Sequence, residues 1–445
     1  MTAFLSRPVF ALRARLLSPL ADGGLLDEDD GIVEIDEEGR FGRVGPWAPD
    51  AAPDAIDIRP MVLMPGLIDL HAHLPQLPNA GLGSGLDLLT WLDRYIFPLE
   101  RAYGRSVAER QAPAAWRAFA AAGTTTVVAY AALWPDSTDA AFEAAEAHGI
   151  RAVIGKVMMD RLTYDPDIRQ DDILETSLRQ SDELASRWHG RDDGRLQYAF
   201  TPRFAVSCSA EMLRESAVLA RHHGAFWQTH ISEDAGEIEE VRRLFPGARD
   251  YLDVYERADA LGANAILAHA IHLSADEVRR LVAGGGSVAH CPASNLFLSS
   301  GMMPLAEYRA AGMRIGMGSD VAAGPEVSMF SVMRAGAVTQ RVLELTGSAR
   351  AGQALRPLDW LRLGTLGGAE ALGQGGEIGS IETGKQADLI AIDPRFTTPL
   401  PGDDAPSEAD DLASRLIFRP HPNMVRGAWV RGRLLGGPPG GDAIG

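Results

Sequence analysis

Cysteine is nearly absent from the chain: Cys208 and Cys291 are the only two in 445 residues, too few for a disulfide framework or a four-cysteine zinc site. Lysine is as scarce, with only Lys156 and Lys385, so arginine carries the positive charge. That charge is itself outweighed, leaving a formal net charge of −18. Proteins that track phosphate backbones need concentrated positive charge, which argues against a nucleic-acid partner. Long apolar runs are missing too: nothing approaches the roughly 20 residues that span a bilayer. Arg7, Arg13 and Arg15 interrupt anything resembling a signal-peptide core. There is no His-Glu-x-x-His helix and no Cys-x-x-Cys pair of the small zinc deaminases. Gly373-Gln-Gly375 opens like a dinucleotide fingerprint but lacks its third glycine. No repeat occurs at solenoid periods. These absences predict a soluble protein of the reducing cytoplasm, with no membrane and no nucleic-acid partner.

What is present suits a soluble enzyme, with 46% hydrophobic and 23% charged residues. The length allows one large domain with an elaboration, or two to three domains. Residues 1–60 alternate short β-like runs with turns: one strand near residue 10, then a hairpin across Glu37-Glu38-Gly39-Arg40. From Val62 onward, apolar runs alternate with longer amphipathic stretches, the pattern of βα units on a parallel sheet. The runs fall at residues 61–70, 124–130, 151–158, 196–204, 225–231, 265–269, 286–290 and 313–320. Eight such units predict a (β/α)8 TIM-type barrel over residues 61–375, with reactive side chains at the C-terminal strand ends. Two spacers carry capping boxes, Ser106 with Glu109 and Ser274 with Glu277. The tail returns to turns and strands, so residues 376–445 are expected to join residues 1–60 in one small β-sandwich-like domain. Residues 395–415 read as an acidic, proline-bearing mobile loop, and the glycine-rich tail after Leu435 as disordered.

The first apolar run ends in His71-Ala-His73. On a strand, side chains at i and i+2 share a face, so these imidazoles project together. Alone, the pair reads equally as half a metal site or as two surface histidines. The fifth strand, however, ends in His230, the sixth in His269 and the eighth in Asp320. Several imidazoles with one carboxylate and room for water describe a catalytic metal site, and neutral imidazole suits zinc or iron. Such a metal lowers the pKa of its water to about 7. Glu233, three residues after His230, is placed to carry protons; the plain alternative is a solvated loop glutamate. His290 ends the seventh strand and reads as a core or supporting residue, whereas His222, His223 and His272 read as surface.

Together His71-Ala-His73-Leu-Pro75-Gln76, Thr201-Pro-Arg203-Phe204 with Ser207-Cys-Ser209, and His230-Ile-Ser-Glu233 resemble the amidohydrolase superfamily, within it the guanine deaminases. So do Ala268-His269, His290-Cys-Pro-Ala-Ser-Asn295, Gly318-Ser-Asp320 and Thr365-Leu-Gly-Gly368, in the right order from about residue 60 to about residue 395. The resemblance implies hydrolytic deamination of guanine to xanthine and ammonia by a zinc-activated hydroxide, in a homodimer acting on a small purine. It implies one Zn2+ ion, with Fe2+ the other candidate, held by His71, His73, His230 and Asp320. His269 would ligate weakly or orient the water. Asp320 would accept a proton from that water, and Glu233 would protonate a ring nitrogen. Gln76 and Arg203 would grip the purine edge, with Phe204 against its face. A guanidinium fork and an amide donor–acceptor pair suit such an edge, and a site built this way rejects analogues that leave them unpaired. For Arg203 the plain alternative is a surface salt bridge.

Superfamily members with two metals commonly bridge them through a modified lysine at the end of strand four, where this chain has Arg203. Lys156, on the preceding strand, reads as a supporting partner. The chain departs from the guanine-deaminase pattern at Leu77, at Trp134-Pro135 and at Gly324-Pro325-Glu326, all expected to line or lid the pocket. The alternative is therefore a sibling aminohydrolase of a pterin, triazine or modified purine, and the remote one a non-catalytic scaffold.

Overall fold

The first apolar run belongs to two strands in two different sheets. The computed structural model describes residues 9–50, 52–162, 170–400 and 402–436. Its first strands are β1 (Phe10–Pro19), β2 (Leu25–Ile35), β3 (Phe41–Pro46) and β4 (Ile56–Pro65), and β5 (Leu67–His73) follows after Gly66. The sequence showed no break here because β4 ends buried and β5 is buried throughout. A side chain on Gly66 would stand 2.0 Å from Thr125 Oγ1, so glycine is what lets the chain cross between the sheets.

Among the described residues, β5 pairs in parallel with β6 (Thr124–Tyr130), and β6 with β7 (Arg151–Gly155). The strands β8 (Val157–Met158), β9 (Leu196–Pro202), β10 (Phe226–Ile231), β11 (Ala265–His269), β12 (Ser287–His290) and β13 (Arg314–Met317) complete the sheet. Its order is β5-β6-β7-β9-β10-β11-β12-β13, with β8 on β9. The third expected strand is thus two pieces, interrupted at Lys156, and the predicted eight positions of a (β/α)8 barrel are present. Strands covered on both faces need apolar residues on both, which is why β5 and β6 read as unbroken runs. The ring closes just beyond β13, where Asp320 N–H donates to His71 O (2.7 Å) and His73 N–H to Val321 O (3.0 Å).

Helices fill the spacers. Ser274 and Glu277 form the expected box at the start of the helix Ala275–Gly284. Ser106 caps nothing: its helix begins at Arg105 behind Gly104, and Glu109 pairs instead with Arg105 at 2.8 Å. Among the described residues no helix is long and apolar enough to cross a membrane.

The chain ends meet in a second sheet. Here β14 (Leu389–Ile392), β15 (Val425–Val430) and β16 (Arg433–Gly436) extend it in the order β16-β15-β14-β4-β1-β2-β3. Residues 395–415 are only partly loop, because Ala409–Phe418 is a helix. Its Leu412, Ala413, Leu416 and Ile417 enter the main core, at a spacing that the acidic composition masked. Asp410 and Asp411 lie in its first turn, where carboxylates favour the helix dipole. The tail from residue 437 lies outside the described residues.

A buried ion pair lashes the second sheet to the barrel. Arg151 Nε donates to Asp388 Oδ2 (2.9 Å), and Arg431 N–H to Asp388 Oδ1 (2.9 Å). Both side chains of the pair are buried, so losing one partner leaves the other charge uncompensated. Asp388→Ala is expected to cost about 3–5 kcal/mol of stability, seen as a lower denaturant midpoint; a midpoint equal to the parent's would refute this.

Candidate metal centre

β5 ends at the mouth of the barrel and delivers both of its histidines to one point. Nε2 of His71 and of His73 stand 3.3 Å apart, and His230 Nε2 is 3.3 Å from that of His73. Asp320 Oδ1 lies 3.2 Å from Nε2 of both His71 and His73. Ligand atoms of His71, His230, His269 and Asp320 all fall within 4.8 Å of one another, and all four residues are buried. Residues from the ends of three strands and the turn after a fourth thus converge. Imidazoles with one carboxylate are a donor set for a single zinc-like ion. His269 Nε2 supports that fit: it is buried and has no hydrogen-bond partner among the described residues.

Electrostatics prepare these groups. Burial lowers the pKa of His71, takes that of His230 well below its usual value, and brings His269 to about 4. Neutral imidazoles keep the lone pairs that a metal needs. Burial works to raise the Asp320 carboxyl, but His71 and His73 opposite hold it well below the ordinary range. Glu233 goes the other way: burial, then the charge of Asp320, pushes its carboxyl well above the ordinary value. Two carboxyls driven apart in this way mark a proton acceptor and a proton donor.

The surroundings fix each ring. His230 Nδ1–H donates to Arg203 O (2.6 Å) and His269 Nδ1–H to Asn295 Oδ1 (2.9 Å), which turns both Nε2 atoms inward. Ser294 Oγ donates to Asp320 Oδ2 (2.6 Å). Asp69, whose carboxyl burial raises to about 7, accepts from Ser319 N–H (2.9 Å), Ser319 Oγ (2.5 Å) and His71 N–H (3.1 Å). That clasp ties β5 to the turn carrying Asp320. A side chain on Gly318 would come within 2.8 Å of His71 Cβ and Cys291 Sγ, so the turn fits only with glycine there. Ser232, His269 and Asp320 all have left-handed backbones, with φ of 48°, 71° and 48°. Such conformations cost on the order of 1–3 kcal/mol each and gather where function requires a particular aim.

A cavity opens beside the cluster. His73, His230, Glu233 and Asp320 line it together with Gln76, Arg203 and Phe204, and Leu88, Trp91, Leu92 and Leu298 add apolar lining. Arg203 makes no surface salt bridge. Its Nη1 donates to Glu100 Oε2 (2.5 Å), and Gln76 Nε2 donates to Glu100 Oε1 (2.7 Å). Glu100 is 0% exposed; neither it nor Asp69 stood out as a site residue in the sequence, whereas Ser294 and Asn295 lay in the motif His290-Cys-Pro-Ala-Ser-Asn295 without an assigned role. The only signal available was a carboxylate in an otherwise apolar stretch.

Other expectations divide, the pocket-lining ones needing correction and those for the remaining histidines largely holding. The Lys156 ammonium donates to Val157 O (3.2 Å) and to Ser177 Oγ (3.0 Å) on the outer helix Gln170–Trp188. Leu77, Pro325 and Glu326 face a separate outer groove, because the tight turn Leu74–Asn79 sends Gln76 inward and its neighbour outward. Trp134 Nε1 donates to Arg101 O (3.0 Å), away from the cavity. His290 is a buried histidine outside the cluster, brought by burial to about 3. His222 and His272 are exposed, and half-buried His223 pairs with Asp182 at 2.7 Å.

Known proteins share this arrangement of strands. The profile described as Amidohydrolase family matches residues 62–435. A probable guanine deaminase of Deinococcus radiodurans is 38% identical over 428 residues, covering 94% of each chain. The solved guanine deaminase of E. coli superposes with a TM-score of 0.86 at 32% identity, over 96% of this chain and 99% of that one. The guanine deaminase of C. acetobutylicum, solved with guanine in its active site, gives 0.87 at 27% identity over 96% and 100%. On these similarities the chain is a hydrolytic enzyme and belongs to the amidohydrolase family.

Proposed function

We propose that the enzyme hydrolyses the C2 amine of guanine, giving xanthine and ammonia. The observation that carries this reading is one cavity lined both by members of the buried His/Asp cluster and by Gln76 and Arg203, which Glu100 joins by hydrogen bonds. Similarity to proteins named guanine deaminases supports the choice of substrate.

In this reading His71, His73, His230 and Asp320 hold one divalent ion, zinc. When bound, zinc supplies Lewis acidity that makes water nucleophilic near neutral pH. Asp320, held ionised, takes a proton as the water oxygen bonds to C2. Glu233, held protonated, gives its proton to the ring nitrogen that receives the displaced electron pair. The C2–N bond to the exocyclic amine then breaks: the proton stored on Asp320 leaves with the amine as ammonia, and the C2 hydroxyl returns its proton to Glu233, leaving the C2 carbonyl of xanthine and both carboxyls in their starting states. His269 Nε2 lies 3.3 Å from Glu233 Oε2 and 3.8 Å from Asp320 Oδ2, a position from which it orients the water. Arg203 and Gln76 hold the purine edge, while Phe204 and the apolar lining cover its faces and exclude bulk water.

Purified protein supplied with zinc is expected to bleach guanine absorbance in the ultraviolet with equimolar xanthine and ammonia. Consumption of a pterin or triazine in its place would reject guanine as substrate. The same reading places the enzyme in the cytoplasm as a homodimer, and light scattering at the monomer mass would refute the dimer.

A further inference from the structure

Two neighbouring features of the cavity are joined by a residue that belongs to neither. Glu100 sits in the short helix Phe97–Arg101, behind the irregular turn Leu92–Ile96. Its carboxylate is fully buried, and one oxygen takes the Gln76 amide while the other takes the Arg203 guanidinium. Among the described residues, the hydrogen bonds of the Glu100 carboxylate go to Gln76 and Arg203 and not to the His/Asp cluster.

The consequence for Gln76 follows from valence. A carboxylate only accepts hydrogen bonds, so it selects the amide nitrogen of Gln76 and leaves the amide oxygen for the cavity that Gln76 lines. Without that partner the amide could present either end. For Arg203 the consequence is electrostatic. A buried guanidinium is costly unless it is paired, and an Arg203 offset by Glu100 gives that part of the cavity donors without net charge. The edge so made, an acceptor beside donors on a neutral base, matches a lactam, in which a ring N–H adjoins a carbonyl. It disfavours purines that carry negative charge, which would meet the Glu100 charge as well as that of Arg203.

We propose that Glu100 is the positioning residue that makes the cavity select a neutral lactam edge, by orienting the Gln76 amide and offsetting the Arg203 charge. This rests on the purine reading of the cavity given above. Glu100 touches no substrate in this scheme and acts through its two partners.

The test uses the full-length, zinc-loaded enzyme with Glu100→Gln, which keeps the shape and removes the charge. Guanine KM is expected to rise about 10- to 100-fold, the size of a lost charge-assisted hydrogen bond, while kcat stays within about threefold because the loss falls on ground and transition states alike. Inhibition by urate, a purine anion at neutral pH, is expected to tighten by about tenfold, since the Glu100 charge that repels it is then gone. A merely structural role would weaken guanine and urate together, and that result overturns the proposal. So does an unchanged guanine KM. If Glu100→Gln fails to fold, Glu100→Asp decides: it retains the charge but shortens the reach, so guanine KM should rise while urate inhibition stays at the parental value. A gain in urate inhibition there overturns the proposal. The parent enzyme is assayed first; absence of guanine turnover in the parent rejects the activity itself, whereas parental turnover with no selective change in the variants rejects only the role of Glu100.

Discussion

Glu233→Gln is expected to lower guanine turnover by about a thousandfold, within the range that a positioned proton carrier supplies, and to leave zinc content at the parental level. The residue is 2% exposed, and its Oε1 has no hydrogen-bond partner among the described residues. Burial and the Asp320 charge favour its protonated form, so it can donate at a pH where an exposed glutamate is already ionised. Its backbone is fixed as well, since Glu233 N–H donates to Glu237 Oε2 (2.8 Å) and Tyr251 Oη to Glu237 Oε1 (2.6 Å). Glutamine fills the same space but neither yields nor takes a proton under these conditions. Side-by-side measurement of ultraviolet turnover and elemental zinc checks the split. Near-parental turnover would remove Glu233 from the mechanism, and a parallel loss of zinc would show that it holds the ion.

Chelation is expected to have an effect at least as large. Dialysis against a strong chelator should abolish turnover, by about a thousandfold or more given the several kcal/mol that Lewis-acid catalysis contributes. One molar equivalent of zinc should restore it. The stoichiometry follows from the donors: among the described residues a single cluster is able to hold an ion. The nearest lysine that might have bridged two ions, Lys156, is engaged with Ser177 on the outer helix. Elemental analysis that finds two equivalents, or iron in place of zinc, would overturn the count or the identity.

The barrel and the cluster were legible in the sequence for the same reason. A buried parallel strand is a short apolar run, and the residue at which that run turns polar is the one at the barrel mouth; His71, His73, His230, His269 and Asp320 all sit at such places. Glu100 was not legible, because its partners are 24 and 103 residues away and its own segment lacks a regular period. The same holds for the apolar lining. Leu88 and Trp91 lie in a one-turn helix and Leu92 in the irregular turn that follows it, whereas Leu77, four residues after His73, faces the outer groove. The helix Ala409–Phe418 was missed because net acidity outweighed an apolar spacing that is plain once the acidic first turn is set aside.

The two backbone bonds that close the ring, Asp320 to His71 and Val321 to His73, join residues about 250 positions apart. Three of the four residues that carry them, His71, His73 and Asp320, belong to the cluster. Closing a loop of that length is among the last and slowest steps of a folding chain, and here it coincides with the assembly of the site. If the cluster holds an ion as proposed, retained metal would then report whether the first and last strands have met.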